Sequence, residues 1–230
     1  HEMRTPLNGI ISNAELLATS ATTLKPGEIA EMGQEIHKSG QRLERLIENF
    51  LIYAQLELVA ADPKNVSALR VGKTERTAGL IQELAAAQAA QMGRPDDLSV
   101  EAADFSVPIS EEYFSKVVTE LVQNAFKFSE SGSPVRVTLG EEFNNVVLSV
   151  SDRGCGFSTE QIKRIGAYVQ FDRKMQDQQG LGLGLVIAKR LVELHGGSLS
   201  ISGEKGAGAT VTAKLPKTRP VDHFQSGSRP

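Results

Sequence analysis

Between Ile29 and Leu58 the apolar residues Ile29, Met32, Ile36, Leu43, Ile47, Phe50, Ala54 and Leu58 recur at steps of three, four or seven. That spacing holds them on one side of a long α-helix and lies close to a heptad seam. Ser39 and Gly40 interrupt the stripe without breaking its period. Upstream, Leu7, Ile10, Ile11, Ala14, Leu17 and Ala18 make a shorter amphipathic helix, and residues 20–27 read as a turn ending in Pro26-Gly27. Two helices joined by a short turn form a hairpin, which cannot bury its own stripe on both sides. Pairing of two chains into a four-helix bundle solves this, so a homodimer is expected. The alternative is that the stripe packs on the chain's own second domain.

The 230 residues leave room for one large domain or two small ones. With 40 % hydrophobic and 23 % charged residues, the chain is expected to be soluble and globular. A net charge of −3 and 5 % aromatics speak against a nucleic-acid partner, which needs basic surface and stacking rings. The single cysteine, Cys155, excludes an internal disulfide and fits a reducing, cytoplasmic setting. No apolar run is long enough to span a bilayer and no signal peptide is visible, so this segment is expected to make no membrane contact. A helix that starts abruptly at residue 1 reads as part of something longer, whose upstream region can hold a membrane anchor.

Ala61-Asp62-Pro63-Lys64-Asn65 breaks the helical period and marks a boundary. The expected organisation is a helical hairpin over 1–61, a linker over 62–67, a second domain over 68–216, and a disordered tail over 217–230. Within the second domain a helix over 77–92 stops at Gly93, and short strands follow at 98–101 and 105–109. Ser110 caps a helix reaching Phe128, with Glu111 and Glu112 in its first turn. Strands at 135–139 and 146–150 form a hairpin around Asn144-Asn145, and 165–183 is a polar, glycine-bearing loop expected to be mobile. A helix over 183–195 ends at Gly196-Gly197, before a last hairpin of 199–202 and 209–215. The fold class is α+β: a helical hairpin, then a sandwich of mixed sheet and helices.

Three stretches of the second domain carry chemistry. On the helix 110–128, Lys116, Glu120, Asn124 and Lys127 share the face opposite Val117, Val118, Leu121, Ala125 and Phe128. Read plainly this is a solvated face. Read for chemistry, Asn124 offers an amide oxygen to a hard cation and Lys127 offers charge to phosphates. Magnesium suits that, since it takes few protein oxygens and fills its shell with water and phosphate. Asp152 ends the apolar row Val146, Leu148, Val150 and so falls on the buried face of its strand. A buried carboxylate needs donors. An adenine amino group is one, with Gly154 and Gly156 letting backbone approach the base; an aspartate capping its own turn is the plainer alternative. The run Gly180-Leu181-Gly182-Leu183-Gly184-Leu185 opens a helix, and amides at a glycine-rich helix N-terminus bind phosphate. Its spacing fits neither a dinucleotide fingerprint nor a P-loop.

Taken with the opening His1-Glu2-Met3-Arg4-Thr5-Pro6-Leu7, these stretches resemble the boxes of the sensor histidine kinases. The opening resembles their H box; Pro6, lacking an N–H, is expected to bend or loosen the helix beside the histidine. Glu120-x-x-x-Asn124-Ala125-x-Lys127-Phe128 resembles the N box and Asp152-x-Gly154-x-Gly156 the first glycine box. Tyr168-x-x-Phe171-x-Arg173 is similar to the F box, Gly180-x-Gly182-Leu183-Gly184-Leu185 to the second glycine box, and Gly206-x-Gly208-Ala209-Thr210 to the late Gly-Thr motif. All six come in the family's order.

The resemblance implies a dimerisation and phosphotransfer hairpin followed by an ATP-binding domain of the Bergerat type. It implies that His1 is the phosphoacceptor, with Glu2 taking the proton from its other ring nitrogen, and that the phosphoryl group passes to an aspartate of a response-regulator receiver. Glu2-x-x-Thr5 also matches the family's phosphatase pattern, in which Thr5 helps to orient a water. Asn124 would hold Mg²⁺, Asp152 the adenine amino group, and 165–183 would be the ATP lid, with Arg173 reaching the terminal phosphate. Lys127, Phe128, Gly154, Gly156, Gly180, Gly182, Gly184, Leu185 and Thr210 would complete the ATP site. Glu120 stands where the family often has Asn; Glu is frequent in the wider ATPase group and can polarise a nucleophile. Two rivals are an ATPase of the same superfamily that forms no phosphohistidine and a non-enzymatic dimeric scaffold. His37 and His223 lack partners at metal-ligand spacing and are expected at the surface, His195 is expected as a helix-end residue stabilised by the helix dipole, and Cys155 has no assigned role.

Overall fold

A computed structural model of the chain describes residues 2–20, 22–158, 160 and 183–217. It divides into two compact units, one holding the chain up to Gln55 with Leu183, the other running from Leu56.

The first unit contains α1 (Arg4–Ser20) and most of α2 (Pro26–Ala60). The loosening expected of Pro6 concerns the helix beside His1, which lies outside the described residues. Helix α1 starts at Arg4, so Pro6 sits in the first turn, where an N–H has no intrahelical acceptor to lose. Helix α2 opens with Pro26 in its first turn, and the Glu28 carboxylate accepts the Lys25 N–H at 2.8 Å, half of a capping box. The two helices approach closely where Gly9 faces Ser39: a Cβ there would lie 2.8 Å from Ser39 Oγ. Much of the apolar stripe of α2 stays exposed in the single chain, including Ile29, Ile47, Phe50 and Leu58, as do Leu7 and Ile11 of α1 and Leu51, one turn beyond Ile47.

The second unit begins inside α2, not at the Asp62-Pro63 break. Leu56 is buried, and Glu57 pairs with Arg190 at 2.9 Å. Residues 62–67, expected as linker, mostly form a short helix, α3 (Pro63–Leu69). Asp-Pro ends one helix but also starts the next, because Asp62 caps the Lys64 N–H at 2.9 Å and Pro63 needs no acceptor. Helix α4 (Thr77–Gln91) stops at Gly93, whose φ of 66° is left-handed. The N–H groups of Gly93 and Arg94 return to the carbonyls of Ala90 and Ala89, the Schellman arrangement.

Strand β1 (Leu98–Ala102) follows; the second strand expected at 105–109 does not form, and Val107 makes only an isolated bridge to Thr74. Helix α5 (Glu111–Phe128) is capped by Ser110, and leads to β2 (Val135–Glu142) and β3 (Asn145–Asp152). Their turn is Phe143-Asn144, one residue before the expected pair, and Asn145 joins the ladder opposite Glu142. Helix α6 (Leu183–Leu194) leads to β4 (Ser198–Gly203) and β5 (Ala209–Pro216).

The strands form one sheet in the order β1-β2-β3-β5-β4, with β1 parallel to β2 and the other neighbours antiparallel. Alternation puts Val135, Val137 and Leu139, then Val146, Leu148 and Val150, then Ala209, Val211, Ala213 and Leu215 on the buried side. Helices α4 and α5 pack on the sheet, and Leu185, Ile187, Ala188, Leu191 and Val192 of α6 are also buried. The α+β architecture is as expected. Most of the expected loop over 165–183 lies outside the described residues. Among those described, no helix is long and apolar enough to cross a membrane.

Candidate functional site

The last turns of α5 carry Asn124, half-buried, Lys127, exposed, and Phe128, half-buried, with Lys127 Nζ 5.0 Å from the Phe128 ring centre. Glu120 departs from the solvated face expected of it. It is 1 % exposed and ion-paired with Lys116 at 2.7 Å. Helix α6 covers it: a Cβ on Gly184 would overlap the Glu120 carboxylate, so a larger residue there would force that side chain to shift. Leu185 is buried in the core.

The end of β3 meets the end of α5 at one peptide. The Phe128 carbonyl accepts the Cys155 N–H at 3.1 Å. A Cβ on Gly154 would overlap that carbonyl, so this glycine serves the approach of chain to chain. Asp152 lies beside it, half-buried, its Oδ1 accepting the Gly154 N–H at 2.8 Å. Burial holds the Asp152 carboxyl above the ordinary carboxylate range, against the opposing N–H groups of Gly154 and Ala209. Aspartate therefore does cap its own turn, and it also keeps a poorly solvated carboxylate on the helix-facing side of the sheet. Gly156 is half-buried in the same turn. Thr210 is placed differently. Its hydroxyl bonds Ser151 Oγ at 2.9 Å, and this pair alternates with Asp152 and Ala209, so Thr210 and Asp152 lie on opposite sheet faces.

Glu2 is half-buried ahead of α1 and Thr5 is exposed in its first turn, both in the first unit. His1, Arg173, Gly180 and Gly182, with Tyr168 and Phe171, lie outside the described residues. One residue departs from its expected role and one escaped the sequence reading. His195 is no dipole-stabilised cation: it is fully buried, its Nδ1 lies 2.7 Å from the Leu191 carbonyl, and desolvation pushes its pKa below the ordinary value, with Arg70 adding to that. Arg94 is buried against the end of α5 and binds carbonyls far along the chain, for which a sequence offers no local signal.

Magnesium can be tested against these donors. Among the described residues no cluster of three or more His, Cys, Asp or Glu could hold a metal. The Asn124 amide oxygen fits an ion that takes most of its shell from phosphate and water, and does not fit a protein-only cage.

Two family models match. Residues 1–58 match the His Kinase A (phospho-acceptor) domain, and residues 110–219 match the histidine kinase-, DNA gyrase B-, and HSP90-like ATPase. The histidine protein kinase DivJ of Caulobacter vibrioides is 31 % identical over 220 residues, covering 94 % of this chain; the match spans 36 % of DivJ. The structure of full-length ShkA is 26 % identical with a TM-score of 0.60, over 96 % of this chain and 45 % of that one. The Acinetobacter baumannii histidine kinase AdeS shares the fold at a TM-score of 0.67 and 17 % identity, over 95 % of this chain and 98 % of that one. With both family models matched in order along one chain, and with histidine kinases among its relatives and structural neighbours, the chain belongs to the sensor histidine kinases.

Proposed function

We propose that this chain binds Mg²⁺-ATP in its second unit, transfers the γ-phosphoryl group to His1, and passes it to an aspartate of a response-regulator receiver. One observation carries the nucleotide reading: the ends of α5 and β3 meet at the Phe128 carbonyl, bringing the segments of Asn124, Lys127 and Asp152 together. The ShkA structure was solved in complex with AMPPNP, an ATP analogue, which supports the same ligand class here.

In this reading the Asp152 carboxylate accepts a hydrogen bond from the adenine amino group, a donor its buried position lacks from water. Asn124 supplies an amide oxygen to the ion, and Lys127 supplies charge to the phosphates. The ion, when bound, neutralises phosphate charge as it moves onto the leaving oxygen. The first-turn amides of α6 are the candidates for phosphate, and the resemblance assigns Gly180, Gly182 and Arg173, which lie outside the described residues, to the same role. Glu120, expected to polarise a nucleophile, is 1 % exposed and ion-paired with Lys116, so it takes no part in the step proposed here. Neutral His1 attacks γ-phosphorus through one ring nitrogen, the bond from the γ-phosphorus to the β,γ-bridging oxygen breaks, ADP leaves, and Glu2 accepts the proton from the other nitrogen. Thr5 is the candidate for orienting a water that hydrolyses the phosphoaspartate of the receiver, releasing inorganic phosphate.

The test is incubation with γ-labelled ATP, on a chain extended upstream of residue 1. The expected label is acid-labile and alkali-stable. ATP binding with release of inorganic phosphate and no protein label would overturn the kinase reading in favour of a plain ATPase. Asn124→Ala should abolish labelling with the circular dichroism spectrum unchanged; retained labelling refutes its role at the ion.

A further inference from the structure

Arg94 follows the left-handed Gly93 and is 7 % exposed. Its Nη1 donates to the carbonyls of Phe126 and Ser129, both at 2.9 Å. Its Nη2 donates to the carbonyls of Glu130 at 2.6 Å and Ser133 at 2.9 Å, and to Ser129 Oγ at 3.2 Å. Its Nε donates to Asp97 Oδ2 at 2.6 Å, an oxygen that also accepts the Gly132 N–H at 2.9 Å. The guanidinium carbon stands 5.0 Å from the Phe126 ring centre. Burying a guanidinium is unfavourable unless its donors are met. Here they are met by carbonyls that the end of α5 leaves without helical partners, and by the turn that returns to β2. A cation at that end also faces the negative pole of the helix.

We propose that Arg94 is a positioning residue for the nucleotide site, its guanidinium clamping the backbone at Phe126 and Ser129 and so fixing the Phe128 peptide on which the Asp152–Cys155 turn is seated. Phe126 and Ser129 bracket Lys127 and Phe128, two residues assigned to ATP. The Phe128 carbonyl accepts the Cys155 N–H, and Gly154, pressed against that carbonyl, donates to Asp152. A backbone that can shift at 126–129 moves the α5 end and the Asp152 turn relative to each other. Lysine keeps the charge at this place, but one ammonium with three donors cannot reproduce a planar fork serving six acceptors. Asp97 belongs to the same device, since it orients the fork through Nε and holds the turn through Gly132.

The inference rests on the reading of this unit as an ATP site. The experiment titrates the full chain with Mg²⁺-ATP, comparing wild type, Arg94→Lys and Asp97→Asn, and follows amide exchange at Cys155. Arg94→Lys is expected to bind ATP about tenfold more weakly, with KM rising while kcat at saturating ATP stays within about threefold, the scale of one misplaced charge-assisted hydrogen bond. The Cys155 amide should exchange about tenfold faster, while amides in the middle of α4 keep their protection. Asp97→Asn, a gentler change that keeps the fold if Arg94→Lys does not, should move both readouts in the same direction by a smaller factor. Variants that melt earlier yet bind ATP and protect Cys155 like wild type would show a merely structural role and overturn the proposal. A wild-type chain that binds no ATP would overturn the nucleotide reading itself, and the proposal with it.

Discussion

At Asp152 the folded chain works against its own charge. Burial disfavours the carboxylate, and the N–H groups of Gly154 and Ala209 offset this only in part, so the pKa stays above that of an ordinary aspartate. A ligand that donates to the ionised form lowers that pKa. The sign follows: affinity is full above the raised pKa of the free site and falls as pH drops through it. Wild type should therefore lose ATP affinity on mild acidification relative to Asp152→Asn, whose affinity is lower by about 10- to 100-fold at neutral pH but lacks this slope. Calorimetric titration across the acid range checks this by comparing the two curves, since phosphate titration is common to both; parallel curves would remove Asp152 from adenine recognition. The location of Asp152 was legible because strand alternation is local and strict. The burial of Glu120 was not. Helical spacing places it with Lys116 and Asn124, but the residue that covers it, Gly184, lies on a helix far along the chain.

Among the elements, the end of α6 shows how a helix terminus can mislead. A histidine in a last helical turn invites the reading of a cation held by the dipole. Desolvation outweighs that term here, because His195 is shut in beside Tyr113 of α5, with ring centres 6.1 Å apart, and near Arg70, whose Nε donates to the Leu194 carbonyl at 2.6 Å. Its pKa is depressed below 6.5. The unfolded chain then takes up a proton that the folded chain refuses, so this contribution to stability is complete above the unfolded pKa and is lost as pH falls below it. Urea denaturation should show stability falling from pH 7 toward pH 5, by at most about 1.4 kcal/mol per pH unit from this one group. His195→Gln should flatten that slope while lowering stability at neutral pH; an unchanged slope would show that His195 titrates normally. The raised pKa of Asp152 acts in a more acidic window and with the opposite sign, so the two are separable. The short helix α3 was hidden for a related reason. Asp62-Pro63 is both a stop signal and a start signal, and only the acceptance of the Lys64 N–H by Asp62 decides between them.

Across the whole molecule, the order of motifs was readable because each box is local, whereas the sheet order was only half readable. The two hairpins follow from turn signals, but the pairing that joins them, Val150 opposite Val211, follows from no nearby residue. The stripe that opened the sequence is the feature with the largest consequence. Ile29 is 39 % exposed, Ile47 44 %, Phe50 42 % and Leu58 74 %, and beside them stand Leu51 at 60 % and, on α1, Leu7 at 43 % and Ile11 at 46 %. A chain that leaves this row in water lacks the partner surface its periodicity calls for. We propose that a second copy supplies it, closing a four-helix bundle. In a two-fold bundle each substitution enters twice, and a charge buried without a partner is strongly unfavourable. Ile47→Glu and Leu51→Glu should each weaken the dimer by at least about 100-fold, seen by sedimentation or light scattering as monomer at micromolar concentration. The residues proposed to bind ATP belong to the other compact unit, so ATP affinity should be unchanged, which separates lost pairing from lost folding. Dimers that persist in both variants, or a wild type that is monomeric at about 10 μM, would mean that the stripe serves a different partner.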